Sequence, residues 1–423
     1  MATAVTARPA TSQFRWNICA LLFMATVIAY IDRNVLSNLE RDLRDIIHWD
    51  KVQYSWITAS FQAAYAISMV WAGRLTDRLG TRKAFAIAIV LWSVAAMSPG
   101  AATSVLTFGI AMFLLGLGEA ANFPACIKTV SEWFPRKERA LATGIFNSGA
   151  NAGAILAPLL VAPLKDTVGW RGTFVVTGAT GFIWLIFWLW LYRKPAEHRR
   201  VSAQELANIQ SEPQERIESV PYSRILPSRE TWAFAVAKAL SDPIWWFYLF
   251  WLPSYLRETF NLDIRGNRLP LVVAYGISTI GSVGGGYLSG AFLRRGSSVN
   301  VARKAAMGIC AVGVLPVLFA PFTHSLWLVV GLVGLAMAAH QGWSANLFTV
   351  PSDLFPKAAV GSVVGFGGMI GSVAGVLFQL ATGYVVEWTH SYVPIFIVCG
   401  ISYSVGLLFM HLLTPKMAPA RVE

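Results

Sequence analysis

Charged side chains are scarce in this chain of 423 residues. Only 13% of the residues are Asp, Glu, Lys or Arg, whereas 55% are hydrophobic. The charged share is about half that of an ordinary soluble domain. A soluble chain of this length would need a charged surface. The composition therefore excludes an ordinary soluble globular protein and makes lipid the solvent for most of the outer surface.

Cysteine pairs and the signatures of enzyme chemistry are also missing from the sequence. The four Cys lie inside apolar segments and show neither paired nor metal-ligand spacing, so we expect no disulfide. The small-residue stretch at 281–286 lies within an apolar run, which indicates helix packing rather than a phosphate-binding loop. No metal cluster or nucleophile triad is apparent. We therefore predict that the protein is not an enzyme and holds no cofactor or metal.

Twelve apolar runs recur along the chain, each long enough to cross a bilayer as a helix of about 20 residues. They predict an all-α membrane protein with twelve transmembrane helices, here called spans 1 to 12. Span 1 contains Asp32 and Arg33 with no convincing small-residue cleavage site before them, so we expect a membrane helix rather than a cleaved signal. The predicted spans are 16–39, 53–74, 84–102, 105–130, 141–164, 172–192, 231–257, 267–292, 303–322, 325–349, 360–386 and 391–413.

Lys and Arg residues collect in every second loop of this pattern. The loops after spans 2, 4, 6 and 8 are rich in cations, and the loops between them are short and poorer in cations. The positive-inside rule then places both termini and the long 193–230 loop in the cytoplasm. We expect the protein to lie in the cytoplasmic (inner) membrane. The net charge of +12 reflects this topology better than nucleic-acid binding.

The two halves of the chain repeat one another. Residues 131–136 read SEWFPR before span 5, and residues 352–357 read SDLFPK before span 11. Parallel half-repeats imply a pseudo-two-fold axis along the membrane normal and a substrate site between the halves near the midplane. We predict a cytoplasmic tail, a six-helix half, a polar cytoplasmic linker, a second six-helix half and a second tail. Their boundaries are 1–15, 16–192, 193–230, 231–413 and 414–423.

The loop after span 2 reads GRLTDRLGTRK at 73–83. It resembles, position by position, the signature loop of the major facilitator superfamily, with a generic basic loop as the competing interpretation. Gly73 allows close helix approach and Asp77 can accept hydrogen bonds from a helix N-terminus. Gly80 permits a tight turn, and Arg78 helps to hold the loop on the cytoplasmic side. We expect gating or structural roles for these four residues.

Other segments are similar to the organic anion:cation symporter branch of that superfamily and, within it, to bacterial hexuronate transporters. The resemblance implies a monomeric, proton-coupled symporter that imports a hexuronate such as glucuronate or galacturonate by alternating access. The branch segments are YIDRN (30–34), GEAANFP (118–124), WFP (133–135) and GIFNSG (144–149), and the hexuronate-type segments are DPIWWF (242–247) and HQGWSANLF (340–348).

An ionisable residue inside a membrane span is costly and is a functional candidate by default. Arg33 can hold a carboxylate through two parallel hydrogen bonds, and the resemblance implies that it binds the substrate. Tyr30 and Tyr65 match positions that hydrogen-bond the sugar acid. The alternative for Arg33 is a structural pair with Asp32 or with the helix-end carbonyls.

Asp32 and Glu119 match the proton-coupling carboxylates of the family. Burial favours the neutral form of a carboxyl group and a nearby cation favours the charged form, so alternating access can load and release a proton. The alternative is a static, hydrogen-bonded acid. Met112 stands where the family commonly carries an Arg, two turns before this Glu. Coupling then runs mainly through Asp32, uses another cation such as Lys238, or is impaired.

Other polar and aromatic residues complete the predicted site. Lys238 and Asp242 are four residues apart in span 7 and should form an ion pair, with gating and purely structural roles equally open. The remaining candidates read hydroxyl groups or stack on a sugar ring, with interhelical packing as the alternative. His340 alone fits an interhelical hydrogen bond better than a proton carrier. These candidates are Asn147, Ser148, Asn151, His340, Gln341 and Asn346 for hydrogen bonds, and Trp245, Trp246, Trp251, Tyr255 and Trp343 for stacking.

These observations predict a symporter whose partners are membrane lipid, protons and a small-molecule carboxylate, without nucleic acid. Three alternatives stay open. The solute is another organic anion, such as an aldonate or a dicarboxylate, or the protein is a uniporter, or it is a receptor that kept the fold and lost the coupling. Met112 is the residue that keeps the last two alternatives open.

Overall fold

The computed structural model describes residues 13–210, 222–262, 268–355, 357–418 and 420. These ranges form α-helices and short 3-10 segments, and they contain no strand. The helices are α1 (Arg15–Ile47), α2 (Lys51–Leu79), α3 (Thr81–Met97), α4 (Val105–Glu119), α5 (Asn122–Trp133), α6 (Arg136–Leu191), α7 (Ala203–Ile209), α8 (Tyr222–Ile225), α9 (Arg229–Phe260), α10 (Leu269–Arg294), α11 (Val299–Val314), α12 (Leu326–Leu347), α13 (Val350–Leu354), α14 (Lys357–Thr389) and α15 (Val393–Leu413), with 3-10 segments at Ser98–Ala101, Pro195–Glu197 and Leu315–Phe322.

The signature loop lies between α2 and α3. Gly73, Asp77 and Arg78 lie outside the residues whose side chains are described. Gly80 is described and has a φ of 76°, a conformation that glycine adopts without steric cost. It separates two helices that follow each other directly.

The long helices of the described chain form twelve membrane crossings. Nine stretches of the described chain are long and apolar enough to cross a membrane. The stretch Ala142–Leu191 bends at Gly169, where φ is 71°, so it holds two crossings. The helices α2 and α9, of 29 and 32 residues, supply the remaining two. The predicted all-α, twelve-helix architecture is confirmed.

Helix packing repeats between the halves of the chain. In the first half α1 packs on α6 and α2 packs on α4, and in the second half α9 packs on α14 and α10 packs on α12. The halves meet where α2 contacts α14, where α6 contacts α10, and where α1 contacts α9. In each half, the first span packs on the fifth and the second span packs on the fourth. This is the arrangement expected of a parallel internal repeat.

Close helix contact explains the small-residue stretch in α10. A Cβ atom added to Gly281 would overlap the backbone of Ala338, and one added to Gly285 would overlap Gly342, both in α12. These glycines therefore let two backbones approach each other, as small residues do in membrane proteins. This confirms that the stretch serves helix packing.

Two faces of the molecule can be told apart by the chain direction. The helix α1 begins and α15 ends on one side, here called the terminus face, and the other side is the opposite face. Short connections cross the opposite face, such as the turn before α2, where Asp50 caps the helix by accepting a hydrogen bond from the Gln53 amide at 2.6 Å.

Ion pairs join the halves on the opposite face. Glu258, at the end of α9, accepts hydrogen bonds from Lys51 and, at 3.1 Å, from Arg44. The Tyr392 hydroxyl donates to the same carboxylate at 3.1 Å. Arg257 donates to the backbone oxygen of Asn38. These contacts hold the first half against the second, so the opposite face is closed in this structure.

Candidate substrate site

Arg33 is buried where the two halves meet. Its side chain is only 3% exposed, and aromatic rings from α1, α2 and α9 surround it. A guanidinium close to ring faces is attracted by their quadrupoles, most strongly when desolvated. The distance from Cζ to the ring centroid is 4.6 Å for Tyr30, 5.0 Å for Tyr65, 5.2 Å for Phe61 and 5.3 Å for Trp246. We call these four residues the aromatic cage.

Glu119 is the acidic partner of Arg33. The Arg33 Nε donates to Glu119 Oε2, and the Glu119 side chain is fully buried. Of the alternatives left open by Met112, the structure shows another cation at Glu119, and that cation is Arg33 rather than Lys238, which pairs with Asp242. The alternative pairing of Arg33 with Asp32 is not observed either. Arg33 from α1 therefore supplies a cation to Glu119, which Met112 does not.

Glu119 is the last residue of α4, and α5 starts at Asn122. Ala120 and Ala121 between them keep right-handed helical angles, with φ of −58° and −77°, so Val105–Trp133 is one membrane-spanning stretch with a local irregularity. Pro124 contributes to the irregularity because it has no backbone N–H to donate to the carbonyl four residues earlier. Glu119 therefore lies beside an irregular turn about halfway along span 4.

Asp32 is buried but faces a different direction from Arg33. Its nearest side-chain donors are Trp92 in α3 and Thr177 in α6, and it interacts electrostatically with Glu119. Neither carboxylate oxygen makes a hydrogen bond of good geometry within the described ranges. Asp32 therefore points into the first half, whereas its neighbour Arg33 faces the boundary between the halves.

Lys238 and Asp242 form the predicted ion pair, with Nζ and Oδ2 2.7 Å apart. Gly371 in α14 makes room for it, because a Cβ atom there would lie 2.5 Å from Asp242 Oδ2. The Lys238 ammonium also lies 4.3 Å from the ring centroid of Phe348. Both charges are thus compensated inside the second half.

Amide side chains cross the boundary between the halves. The Gln341 amide in α12 donates to Asn151 Oδ1 in α6 at 3.2 Å. Gly153, two residues after Asn151, packs against Tyr30 of the aromatic cage. Asn147, one turn before Asn151, is exposed. These amides line the same boundary as Arg33 and can offer hydrogen bonds to hydroxyl groups.

Other predicted site residues are engaged inside the second half. His340 Nδ1 and the Tyr403 hydroxyl share a hydrogen bond of 2.7 Å, which confirms the interhelical bond. Asn346 donates to the Gly285 and Gly342 carbonyls, both at 2.9 Å. Trp343 is fully buried. Their predicted contact with substrate would need these side chains to move.

The chain matches the sequence profile of the Major Facilitator Superfamily over residues 22–379. It is a member of that superfamily. It is also 31% identical over 401 residues to the hexuronate transporter of Escherichia coli strain K12, covering 93% of this chain and 92% of the relative. A protein of Bacillus subtilis strain 168, named a probable galactarate/D-glucarate transporter, is 30% identical over 409 residues, covering 92% and 89%.

A solved structure shares the fold of this facilitator. It is described as a bacterial homolog of the human lysosomal transporter Spinster in an inward-facing and unoccupied conformation, and it matches with a TM-score of 0.72. Identity is 16%, over 96% of each chain. Family and fold together establish a multi-pass membrane transporter rather than an enzyme.

One member of the aromatic cage, Phe61, was not predicted from the sequence. Phe61 lies in an apolar span, where a phenylalanine carries no signal of its own. Its spacing of four residues from Tyr65 places the two side chains on one helix face, and their ring centroids are 6.0 Å apart. That spacing was the available clue.

Proposed function

We propose that this facilitator is a proton-coupled symporter for a hexuronate such as glucuronate or galacturonate. The observation that carries the proposal is the buried pair of Arg33 and Glu119 at the boundary between the halves. A buried guanidinium is a specific binder of carboxylates. The relative in Escherichia coli, which is named a hexuronate transporter, supports the class of solute.

The mechanism is an exchange of carboxylates on Arg33. Glu119 and the carboxylate of the solute are alternative partners for one guanidinium. When Glu119 takes up a proton, it loses the charge that holds Arg33, and the solute carboxylate can replace it. When the solute leaves on the other side of the membrane, Glu119 releases its proton and returns to Arg33. Proton and solute therefore travel together.

The surroundings of Arg33 suit a polyhydroxylated acid. The phenol groups of Tyr30 and Tyr65 and the amides of Asn151 and Gln341 can each hydrogen-bond a hydroxyl group. The ring of Trp246 gives an apolar surface against which a sugar ring can stack. Asp32, buried behind Arg33, is a second group that can carry a proton.

We infer the orientation from the distribution of cations in the loops. Both termini and the linker lie in the cytoplasm, the protein works as a monomer in the inner membrane, and the opposite face is extracellular. The closed opposite face then corresponds to a state that is sealed towards the outside. The coupling ion is the proton, and no other cofactor is needed.

The test is uptake of radiolabelled glucuronate into proteoliposomes, with and without an inward proton gradient. The wild-type protein should accumulate glucuronate only with the gradient, and Arg33→Ala should abolish uptake. Uptake that ignores the gradient would instead establish a uniporter. Binding without any accumulation would refute symport and leave a receptor-like protein, and Met112→Arg would then test whether a second cation restores coupling.

A second candidate is a symporter for a dicarboxylate. The relative in Bacillus subtilis, named for galactarate and D-glucarate, favours it. Competition separates the two, because unlabelled galactarate should inhibit glucuronate uptake weakly in a hexuronate symporter and strongly in a dicarboxylate symporter. An aldonate in the same competition tests the third class of acid.

A further inference from the structure

A cavity of about 300 Å³ lies on the opposite face, apart from the Arg33 site. Both halves contribute to its walls. Arg41 of α1 and Lys165 of α6 come from the first half, and Arg257 and Asn261 come from the end of α9 in the second half. A volume of this size lies at the lower end of the range for pockets that hold small organic ligands.

The cavity carries an excess of positive charge. Three cations line it, namely Arg41, Lys165 and Arg257, against one carboxylate, Asp42. Asp42 is paired with Lys165. A nearby acid, Glu40, accepts a hydrogen bond from Ser254 at 2.9 Å, lies 3.7 Å from Arg44 and from Lys51, and attracts Arg257 electrostatically together with Asp42.

Arg257 points most directly to an anion as the ligand of this cavity. Its side chain is buried, with 5% of the residue exposed. One terminal nitrogen donates to the Asn38 carbonyl, but Nη1 has no hydrogen-bond partner among the residues described. A buried charged donor without an acceptor is costly, and an anion in the cavity would remove that cost.

We propose that this cavity is a binding site for an anion, and that its ligand is the carboxylate of the transported acid on its way to Arg33. The identity of the acid rests on the proposed function, but the site itself does not. Arg41 and Arg33 lie eight residues apart on α1, which corresponds to about 12 Å along the helix. An acid captured here is therefore one short step from the central site.

Binding of an anion in the cavity would also stabilise the closed opposite face. A carboxylate between Arg41 and Arg257 touches both halves and offsets the repulsion between their cations. Clustered cations in a cleft raise the local concentration of anions and the rate at which they arrive. An inorganic anion such as chloride shares this chemistry, so the experiment compares the two sources directly.

Calorimetric titration of the purified full-length protein in nanodiscs tests the proposal. Glucuronate, chloride and neutral glucose are titrated into wild type, into Arg33→Gln, and into Arg33→Gln with Arg41→Gln and Lys165→Gln added. Arg33→Gln should still bind glucuronate, and the two further changes should weaken that binding about tenfold or more, since each removes a charged hydrogen bond.

Two variants control for charge and folding. Arg171→Gln, added to Arg33→Gln, removes an exposed cation of the opposite face that is stacked on Trp170 at 4.7 Å, and it should leave glucuronate binding unchanged. Lys165→Arg keeps the charge and should keep the affinity. A loss caused equally by Arg171→Gln would reduce the effect to general surface charge and overturn a defined site.

The outcomes separate this proposal from the proposed function. If wild type binds glucuronate and Arg33→Gln binds none, the cavity site is overturned while the central site stands. If Arg33→Gln binds as wild type does and no uptake occurs in proteoliposomes, the cavity site stands and the symport proposal fails. Chloride binding to Arg33→Gln as tightly as glucuronate would overturn capture of the acid and identify an inorganic-anion site.

Discussion

The interiors of the two halves treat their charges differently. In the first half, Arg33 and Glu119 pair with each other, but Glu119 Oε1 and both oxygens of Asp32 make no hydrogen bond of good geometry to described residues. In the second half, Lys238 and Asp242 are paired, and His340 is bonded to Tyr403. The contrast concerns the ionisable groups near Arg33 and near Lys238: Asp32 and one oxygen of Glu119 are unbonded in the first half, whereas Lys238 and Asp242 neutralise each other in the second half.

This contrast separates structural from functional charges. A closed pair inside a membrane protein makes its charges tolerable and holds helices together. An acceptor left without a donor is costly, and we expect it to persist where another state of the transport cycle uses it. In the proposed function the carboxyl groups of the first half therefore carry the proton, and the pair in the second half is structural.

The largest expected effect comes from exchanging the type of cation in each half. Arg33→Lys should lower the glucuronate affinity of the central site about 100-fold or more, because an ammonium cannot hold a carboxylate through two parallel bonds or stack in the aromatic cage. The matched control is Lys238→Arg, which should change affinity less than threefold. Titration calorimetry measures both, and equal effects would abolish the distinction between the halves.

The next effect separates coupling from binding. Glu119→Gln cannot release a proton, so accumulation driven by a proton gradient should disappear. Exchange of internal for external solute should persist, because Arg33 is then free for the solute in both orientations. Proteoliposome counterflow measures the exchange. Accumulation that survives in Glu119→Gln would transfer the coupling role to Asp32.

The effect on transport is smaller for the ion pair of the second half, where the loss appears in stability. Asp242→Asn leaves the Lys238 ammonium buried without its carboxylate, and breaking such a pair costs about 3–5 kcal/mol. Thermal unfolding in detergent should report this loss. The double variant Lys238→Met with Asp242→Leu removes both charges and should recover most of the stability. An equally unstable double variant would show that the residues matter through their shape.

The smallest effect is expected at the interhelical bond of His340. Tyr403→Phe removes the hydroxyl that lies 2.7 Å from His340 Nδ1, at a cost of about 1 kcal/mol. Transport kinetics and the response to the proton gradient should stay the same. A changed pH dependence of uptake in this variant would make His340 a participant in proton transfer.

Local patterns in the sequence predicted the features that depend on residues close together in the chain. Apolar length located the spans, and the spacing of Lys238 and Asp242 located their ion pair. The ends of α1 were less predictable, because polar residues continue the helix past the apolar run as far as Ile47. Hydropathy predicts where the lipid-facing part of a helix ends, but the hydrogen-bonded helix can continue beyond that point.

Local patterns could not predict the ion pair between Arg33 and Glu119. The two residues are 86 positions apart, and their contact depends on how α1 and α4 are rotated towards each other. Met112 indicated only that the cation had to come from another helix, and Lys238 was one candidate. Arg33 on α1 supplies the cation, and the periodicity of one helix contains no information about its contacts with another helix.

The pairing of Arg33 with Glu119 also has an electrical consequence. In the proposed exchange, the empty carrier holds one cation and one carboxylate, and the loaded carrier holds the same cation, the carboxylate of the acid and a neutral Glu119. Both forms cross the membrane with the same net charge. A potential of 100 mV acts on each elementary charge with about 2.3 kcal/mol, so uptake of a monovalent acid follows the pH difference and ignores the voltage. A dicarboxylate would carry its second charge inward against an inside-negative potential.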